Sequence, residues 1–563
     1  MSCLRSLYQK IFPFGCKTEL KEVFKIALPI AATQFLSYLS TTVSLAFCGH
    51  LGKQVLDGVS LAITIISVLG LSVMVGLSSA CDTLFSQTFG SKQKKKVGVI
   101  FQKSLLILLL CSLPCMALYV NAEHLLLLLG QEPAIAKNGG LYVKTFTFGL
   151  PAIAIEFSLF KYLQSQSIVG PSLIIGVLTN ILNAGMHGLS VYLWEFGIKG
   201  AAVSLILTHW FIVIFHIIYI YASKVYVATW SGFSFECLQD WYMFLRFALP
   251  GLAMICLEWW GIEILTFITG LLGETQLGAH TIAINIGAIG FTIGSGIAVA
   301  ACVRVGNHLG AQNPVGAMTA SRVTLTIAVS FALSLFLVIQ ILRDYIPRIF
   351  SSDTEVVELA SELLLFYSFV CLLDITQGVA SGIIRGMGHQ AFGAGVNVTI
   401  YVLMGTPLSI CLMLLTVLNV RGAWVGICIC AGLQAITYLT KILLTDWDNE
   451  ALRARKVTDG DVSQVREDVT FEIQETENSG KNGCFETDLK ITRGIVLKRI
   501  CTVAVFLLLL VGGILLDWYL SSLQEQNGFG RYINISLINS TETNMSTVWN
   551  ASFELTSVAF FSG

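Results

Sequence analysis

Apolar runs of bilayer-crossing length, divided by short polar breaks, make up most of the chain. At 1.5 Å per residue a helix needs about 20 apolar residues to cross the hydrocarbon core. Such runs fall near 24–47, 57–82, 97–120, 138–160, 171–193, 198–222, 245–271, 278–303, 317–342, 356–384, 391–416, 421–444 and 499–520. The pattern predicts an all-α polytopic membrane protein with thirteen spans. Two stretches break it. Residues 446–498 are polar, mixed in charge and poor in large apolar side chains, the composition of a flexible linker with no fold of its own. Residues 521–563 form a polar tail with four Asn-x-Ser/Thr sequons, at Asn534, Asn539, Asn544 and Asn550.

The first twelve spans repeat internally. Pro29 matches Pro250, Gly49 matches Gly270, Leu51 matches Leu272 and Gly52 matches Gly273, each pair 221 positions apart. Gly76 then matches Gly296, and Gly90 matches Gly310, at 220 positions. Because each copy holds six spans, both enter the membrane from the same side and form parallel repeats about an axis along the membrane normal. The expected core is therefore two six-helix lobes, 24–222 and 245–445, joined by a linker at 223–244 and preceded by a short segment, 1–23. The thirteenth span, 499–520, follows the 446–498 linker. Halves of this kind enclose a central cavity near the midplane.

Positive charge sets the orientation. Arg5, Lys10, Lys17, Lys21 and Lys25 precede or open the first span, and Lys92, Lys94, Lys95 and Lys96 follow the second, which predicts a cytoplasmic N-terminus. An odd number of spans then puts the tail and its sequons outside, as expected for a multi-pass protein of the plasma membrane. The opening residues have no signal-peptide core or cleavage site, so the first span itself directs insertion.

Composition narrows the class further. The 563 residues are 55% hydrophobic and 12% charged, with a mean hydropathy of +0.75 and a formal net charge of −1. Lipid is the expected surrounding, and nothing resembles a nucleic-acid surface. Cys48, Cys81, Cys111, Cys256, Cys302, Cys371, Cys428 and Cys430 lie in apolar runs and read as small buried residues. Cys111-x-x-x-Cys115 and Cys428-x-Cys430 have no accompanying ligand cluster, so no metal or other cofactor is expected. A Gly-x-x-x-x-Gly-Lys-Ser/Thr loop is absent, which disfavours an ATP-driven pump, and no channel selectivity loop is found. No catalytic constellation points to an enzyme.

The polar residues within the spans carry the candidate chemistry. Glu258, in Cys256-Leu-Glu-Trp-Trp-Gly-Ile-Glu263, falls at the midplane of the seventh span, and Asp374 near the middle of the tenth. An ionised carboxylate there costs a few kcal/mol or more unless it is paired, hydrated or protonated. Each acid is therefore a cation or proton site, or else a neutral side chain hydrogen-bonded to a neighbouring helix. Glu263 lies five residues beyond Glu258, about 140° around the helix, so the two share a face only if the helix bends. Trp259 and Trp260 are too deep for an interfacial belt; they either hold a ligand cation or pack against lipid and helices. The first span, equivalent to the seventh, offers Thr33, Gln34, Ser37 and Thr41 instead of acids. The charged site is thus asymmetric and belongs to the second lobe. Glu156, with Lys161 five residues on, is expected to form a local pair or snorkel rather than bind substrate, and His209 and His216, seven apart on one helix face with no acid nearby in sequence, to serve ordinary packing.

Several longer motifs, taken together, resemble one family. They are Phe47-Cys-Gly-His-Leu-Gly-Lys53, Gly76-Leu-Ser-Ser-Ala-Cys-Asp-Thr-Leu84, Ser86-Gln-Thr-Phe-Gly90, Cys237-Leu-Gln-Asp-Trp241, Glu258-Trp-Trp260 with Glu263, Val303-Arg-Val-Gly-Asn307 and Arg385-Gly386. From about Lys21 to Trp447 the chain is similar to the multidrug and toxin extrusion (MATE) family, in its vertebrate organic-cation exporter branch. The resemblance implies proton-coupled antiport of small organic cations. It implies that Glu258 and Asp374 bind the proton, that Glu263 helps bind substrate, and that Gln34, Trp259 and Trp260 contact the cavity. This chain departs from the family pattern at Asn285, where relatives have a third Glu, and at Asp374, where many have Glu. It departs again at Ile262 and Ile284, where Tyr is usual. The departures put the substrate range in question and keep two alternatives open: an exporter of zwitterionic or neutral substrates, and a flippase of lipids or lipid-linked precursors with related architecture.

Overall fold

The structure, a computed structural model, describes residues 15–459 and 484–527; the remainder of the 446–498 segment and all four tail sequons lie outside the described residues. Among the described residues thirteen helices are long and apolar enough to cross a membrane, in the order expected. In the first lobe these are α1 (Cys16–Gly49), α2 (Lys53–Gly90), α3 (Lys96–Val120), α4 (Pro133–Ser165), α5 (Gly170–Leu193) and α6 (Gly197–Ala222). In the second they are α7 (Trp241–Leu272), α8 (Glu274–Gly310), α9 (Pro314–Leu342), α10 (Thr354–Met387), α11 (Gln390–Leu414) and α12 (Val420–Leu443). A shorter helix, α13 (Trp447–Asp459), precedes the last one, α14 (Cys484–Asn527). The first compact unit of the chain, Met1–Gly513, holds both lobes and the start of α14; the described part of the second, Ile514–Gly563, is the end of α14.

The duplication read from the glycines has a physical cause, because the matched positions are places where backbones touch. A side chain at Gly76 on α2 would run into the backbone of Leu252 on α7, and one at Gly296 on α8 into Ala27 and Ala31 on α1. A side chain at Gly90 would meet the carbonyl of Asn307, and one at Gly310 the carbonyl of Gln87. Residues 87 and 307 are themselves 220 positions apart, the repeat spacing. The ends of α2 and α8 therefore cross about the pseudo-twofold axis, each glycine receiving the other helix. These crossing ends lie at the end of the bundle that carries Lys92–Lys96, hereafter the basic end.

Four of the described spans leave regular α-helix, α4 by a 3-10 turn at Thr147–Gly149 and three others by π-helix. Segments Ser67–Leu71 of α2, Gly188–Leu193 of α5 and Val398–Gly405 of α11 are wound as π-helix. α5 and α11 occupy equivalent places in the two lobes, so that irregularity is duplicated, whereas the one in α2 has no counterpart in α8. π-Turns free backbone carbonyls and occur at functional sites more than elsewhere.

The connection between the lobes is held against the first lobe. Gly98 N–H donates to Thr229 O at 2.9 Å, and the Gln102 side chain bonds both Gly232 O and Ser234 N, at 2.9 and 3.1 Å. Arg499 of α14 lies over the Trp241 ring at 3.9 Å and donates through Nε to Leu238 O at 2.9 Å. Asn121 donates to Gly513 O at 2.8 Å, so α14 is tied to the first lobe there and, through Arg499, to the inter-lobe connection and the start of α7.

One expectation is corrected. Residues 447–459, read from composition as part of an unstructured linker, form α13. Asp446 starts the helix, its Oδ1 accepting from the N–H groups of Asp448 and Asn449 at 3.1 and 3.3 Å. Ala451, Ala454 and Thr458 recur at helical spacing and are buried. Small side chains at that spacing allow close packing, yet they add too little hydrophobicity to show in a composition window.

Candidate functional site

The two midplane acids are brought together. Glu258 lies near the middle of α7 and Asp374 near the middle of α10, and both are half-buried. Gln377, one turn beyond Asp374, donates from Nε2 to Asp374 Oδ1 at 3.1 Å and also reaches the Glu258 carboxylate. Tyr401, buried in the π-turn of α11, lies beside both acids. Among the described residues neither acid sits in a salt bridge. The site is a pair of carboxylates in the second lobe that share the Gln377 amide.

Around this pair a belt of polar contacts joins the lobes. Trp260 N–H donates across to α2, to Val68 O at 3.0 Å with Ser72 Oγ at 3.4 Å. Val68 belongs to the π-turn of α2, which explains why its carbonyl can accept from Trp260 as well as from Ser72 Oγ at 2.6 Å. Gln34 of α1 accepts from Ser295 of α8. Tyr38 OH donates to Asn285 Oδ1 at 3.2 Å, while Asn285 Nδ2 donates to Thr281 O at 2.9 Å. Asn285 therefore faces the other lobe and not lipid. Trp259 is half-buried, and Glu263 is half-buried without a hydrogen-bond partner among the described residues, so the structure does not join it to the Glu258 pair.

At the basic end the lobes are sealed. Asp82, with a side chain only 4% exposed, takes Lys161 Nζ at 2.6 Å and Arg385 Nε of the other lobe at 3.9 Å. Glu19 receives Arg304 as a two-pronged pair, at 2.7 and 2.6 Å, with His308 at 3.4 Å. Thr83 Oγ1 donates to Arg385 O at 2.5 Å, and Gln87 donates to Gly386 O at 3.0 Å. Polar contacts at the opposite end, such as Arg421 with Glu362 at 2.6 Å and Asn138 with Gln54 O at 3.4 Å, stay within a lobe.

Two further expectations are corrected. Glu156 does not pair with Lys161, which is committed to Asp82; its Oε2 accepts from His209 Nδ1 at 2.8 Å. The acid that His209 lacks locally in sequence comes from α4, 53 residues away, while His216 bonds Ser172 at 3.0 Å. Sequence reading also missed Gln377, Tyr38, Ser295 and Tyr401. Uncharged residues in apolar spans give no signal until a neighbouring helix supplies the partner, although Gln377 stands in the same Leu372-Leu-Asp-Ile-Thr-Gln377 string as Asp374.

Two related helical lobes, sealed at one end and enclosing a polar belt and a carboxylate pair at mid-membrane, define a membrane transporter of the duplicated-bundle class. The family is fixed by comparison. Residues 29–187 and 250–411 match the family model described as MatE, and the chain belongs to the multidrug and toxin extrusion family. It is 42% identical over 439 residues to Multidrug and toxin extrusion protein 1 of Oryctolagus cuniculus, covering 78% of this chain and 77% of that one. With the protein of the same name from Danio rerio it shares 37% identity over 545 residues, 91% of this chain and 92% of the relative. The crystal structure of the eukaryotic MATE transporter AtDTX14 superposes with a TM-score of 0.76 at 29% identity, over 79% of this chain and all of that one. A MATE crystal structure in the bent conformation, at 18% identity and a TM-score of 0.67, shares the fold.

Proposed function

We propose that this chain is a plasma-membrane antiporter exporting organic cations in exchange for protons, with Glu258 and Asp374 as the site for which the two compete. The observation that best supports the reading is the pair of carboxylates at mid-helix beside Gln377, neither of them in a salt bridge among the described residues. At that depth a bare carboxylate is costly, so either a proton or a cationic cargo must neutralise it. At about 4 Å and an effective dielectric near 20, one such charge pair is worth about 4 kcal/mol. A tenfold change in proton activity is worth about 1.4 kcal/mol. An arriving cation therefore displaces a proton, and a proton from the acidic side displaces the cation. Trp259 and Trp260 offer ring faces worth about 2 kcal/mol to a desolvated cation. Glu263 and Gln34 supply further polar contacts. With the basic end cytoplasmic, the sealed geometry is the state that takes up protons and releases cargo outside, and rocking of the lobes about the axis gives alternating access.

Uptake of a labelled organic cation into vesicles, with and without an imposed proton gradient, tests the function; uptake indifferent to the gradient would overturn it. For the proposed orientation, a C-terminal tag should be accessible on intact cells and glycosidase should shift the protein's mobility. Access only after permeabilisation would mean that the last span does not cross.

Asn285 supports a narrower cargo range. It faces the other lobe beside Tyr38 and is uncharged where family members have Glu, so a dication loses more than a monocation does, the Coulomb term scaling with the product of charges. Monovalent or zwitterionic cargo should be favoured relative to those relatives. Asn285→Glu should raise the affinity of a dication against a matched monocation by about tenfold, the equivalent of ~1.4 kcal/mol. An unchanged affinity ratio at equal expression would remove the assignment.

A further inference from the structure

α13 touches both lobes where they close. It continues from α12 and is bonded to the second lobe at two points. Gln312 Nε2 donates to Ala451 O at 2.6 Å, and Glu450 pairs with His389 at 2.8 Å, with Arg453 on the same imidazole at 3.2 Å. Trp447, Ala451 and Ala454 pack into the second lobe's core. Its far end goes elsewhere. Val457 packs into the core of the first lobe, and Lys96 Nζ, from the start of α3, donates to Thr458 O at 3.2 Å. α13 also lies against α2.

We propose that α13 is a strap that moves with the second lobe and must detach from the first at Val457 and Thr458 before the basic end can open. The inference rests on the alternating-access reading above. Three features set the direction of release. The chain connection, the Gln312 bond and the His389–Glu450–Arg453 cluster all hold α13 to the second lobe, whereas toward the first lobe the described contacts are the Lys96 bond, Val457 and packing against α2. The contacts with the first lobe at Val457 and Thr458 lie in the last turn of α13, so they can part without unwinding the remainder. Release of that turn from Lys96 favours opening of the basic end, and its retention delays it.

Two cross-links distinguish the two attachments in a protein freed of reactive cysteines. Lys96→Cys with Thr458→Cys, joined by a short cleavable bis-maleimide, should reduce cation exchange at least tenfold, and cleavage of the linker should restore it. Gln312→Cys with Ala451→Cys, joined by the same reagent, should leave exchange within twofold of the unlinked protein. Hydrogen–deuterium exchange over residues 82–90 reports opening of the basic end whether or not a cation is carried, and only the first link should slow it. If the unlinked protein shows no proton-driven exchange but the first link still slows deuterium uptake, the transport reading fails and the strap stands. The strap is overturned if the first link leaves deuterium uptake unchanged, or if both links slow it equally.

Discussion

Glu258→Gln and Asp374→Asn should each reduce proton-driven exchange about a hundredfold or more, to background, with surface expression intact. Each amide keeps the shape of the acid and an oxygen that can still accept from Gln377, so the local packing of α7, α10 and α11 has no reason to change. What is lost is the ability to carry a charge. Without it the proton and the cation have nothing to compete for, and the ~4 kcal/mol Coulomb difference that couples them disappears. Glu263→Gln should behave differently, raising the half-saturating cation concentration while the dependence on the gradient persists, because Glu263 stands apart from the bridged pair. The decisive measurement is exchange with and without the gradient in all three variants at matched expression. Near wild-type coupling in both pair variants would move the proton site elsewhere.

The second large effect falls on stability. Asp82→Ala leaves Lys161 and Arg385, with side chains 14% and 17% exposed, facing a gap where their shared carboxylate stood. Removing one partner of a buried ion pair costs about 3–5 kcal/mol, because the remaining charge stays desolvated. A lower unfolding temperature in detergent is therefore expected for Asp82→Ala, with partial recovery when Lys161→Met is added and one stranded charge is removed. Equal unfolding temperatures for wild type and Asp82→Ala would show that the lysine and arginine find other partners or water. The recovery arm separates a stranded charge from the loss of Asp82 packing, which Lys161→Met cannot repair.

Much of the frame is legible in the chain because the bilayer enforces it. A span must be about 20 apolar residues long, and backbone crossings such as Gly90 on Asn307 exclude any side chain, so both leave period and spacing in the sequence. The acids are legible for the opposite reason: Glu258 and Asp374 are costly where they stand, so their presence calls for an explanation. The partners of those acids are hidden. Gln377 and Tyr401 cost little in a helix interior and gain their meaning only when α7, α10 and α11 pack together. The Glu156–His209 pair was missed because the search for a partner stayed within one helix, and partners 53 residues apart are adjacent once α4 and α6 pack. α13 was missed because alanine and threonine make a docking face that no composition average registers.

The matched glycines and the unmatched charges together give the chain an internal control. Laying one half on the other, 220 or 221 positions along, compares two solutions to the same packing problem in a single molecule. Positions that agree, such as Gly76 with Gly296 and Gly90 with Gly310, are those where any side chain would hold the helices apart. Positions that disagree are free of that constraint: Asp82 stands opposite Cys302, and Ser37 of the first span opposite Glu258 of the seventh. The close helix crossings are kept in duplicate while the ionisable residues differ, so the difference between the halves, and not their likeness, picks out the positions at which to test how charge is handled.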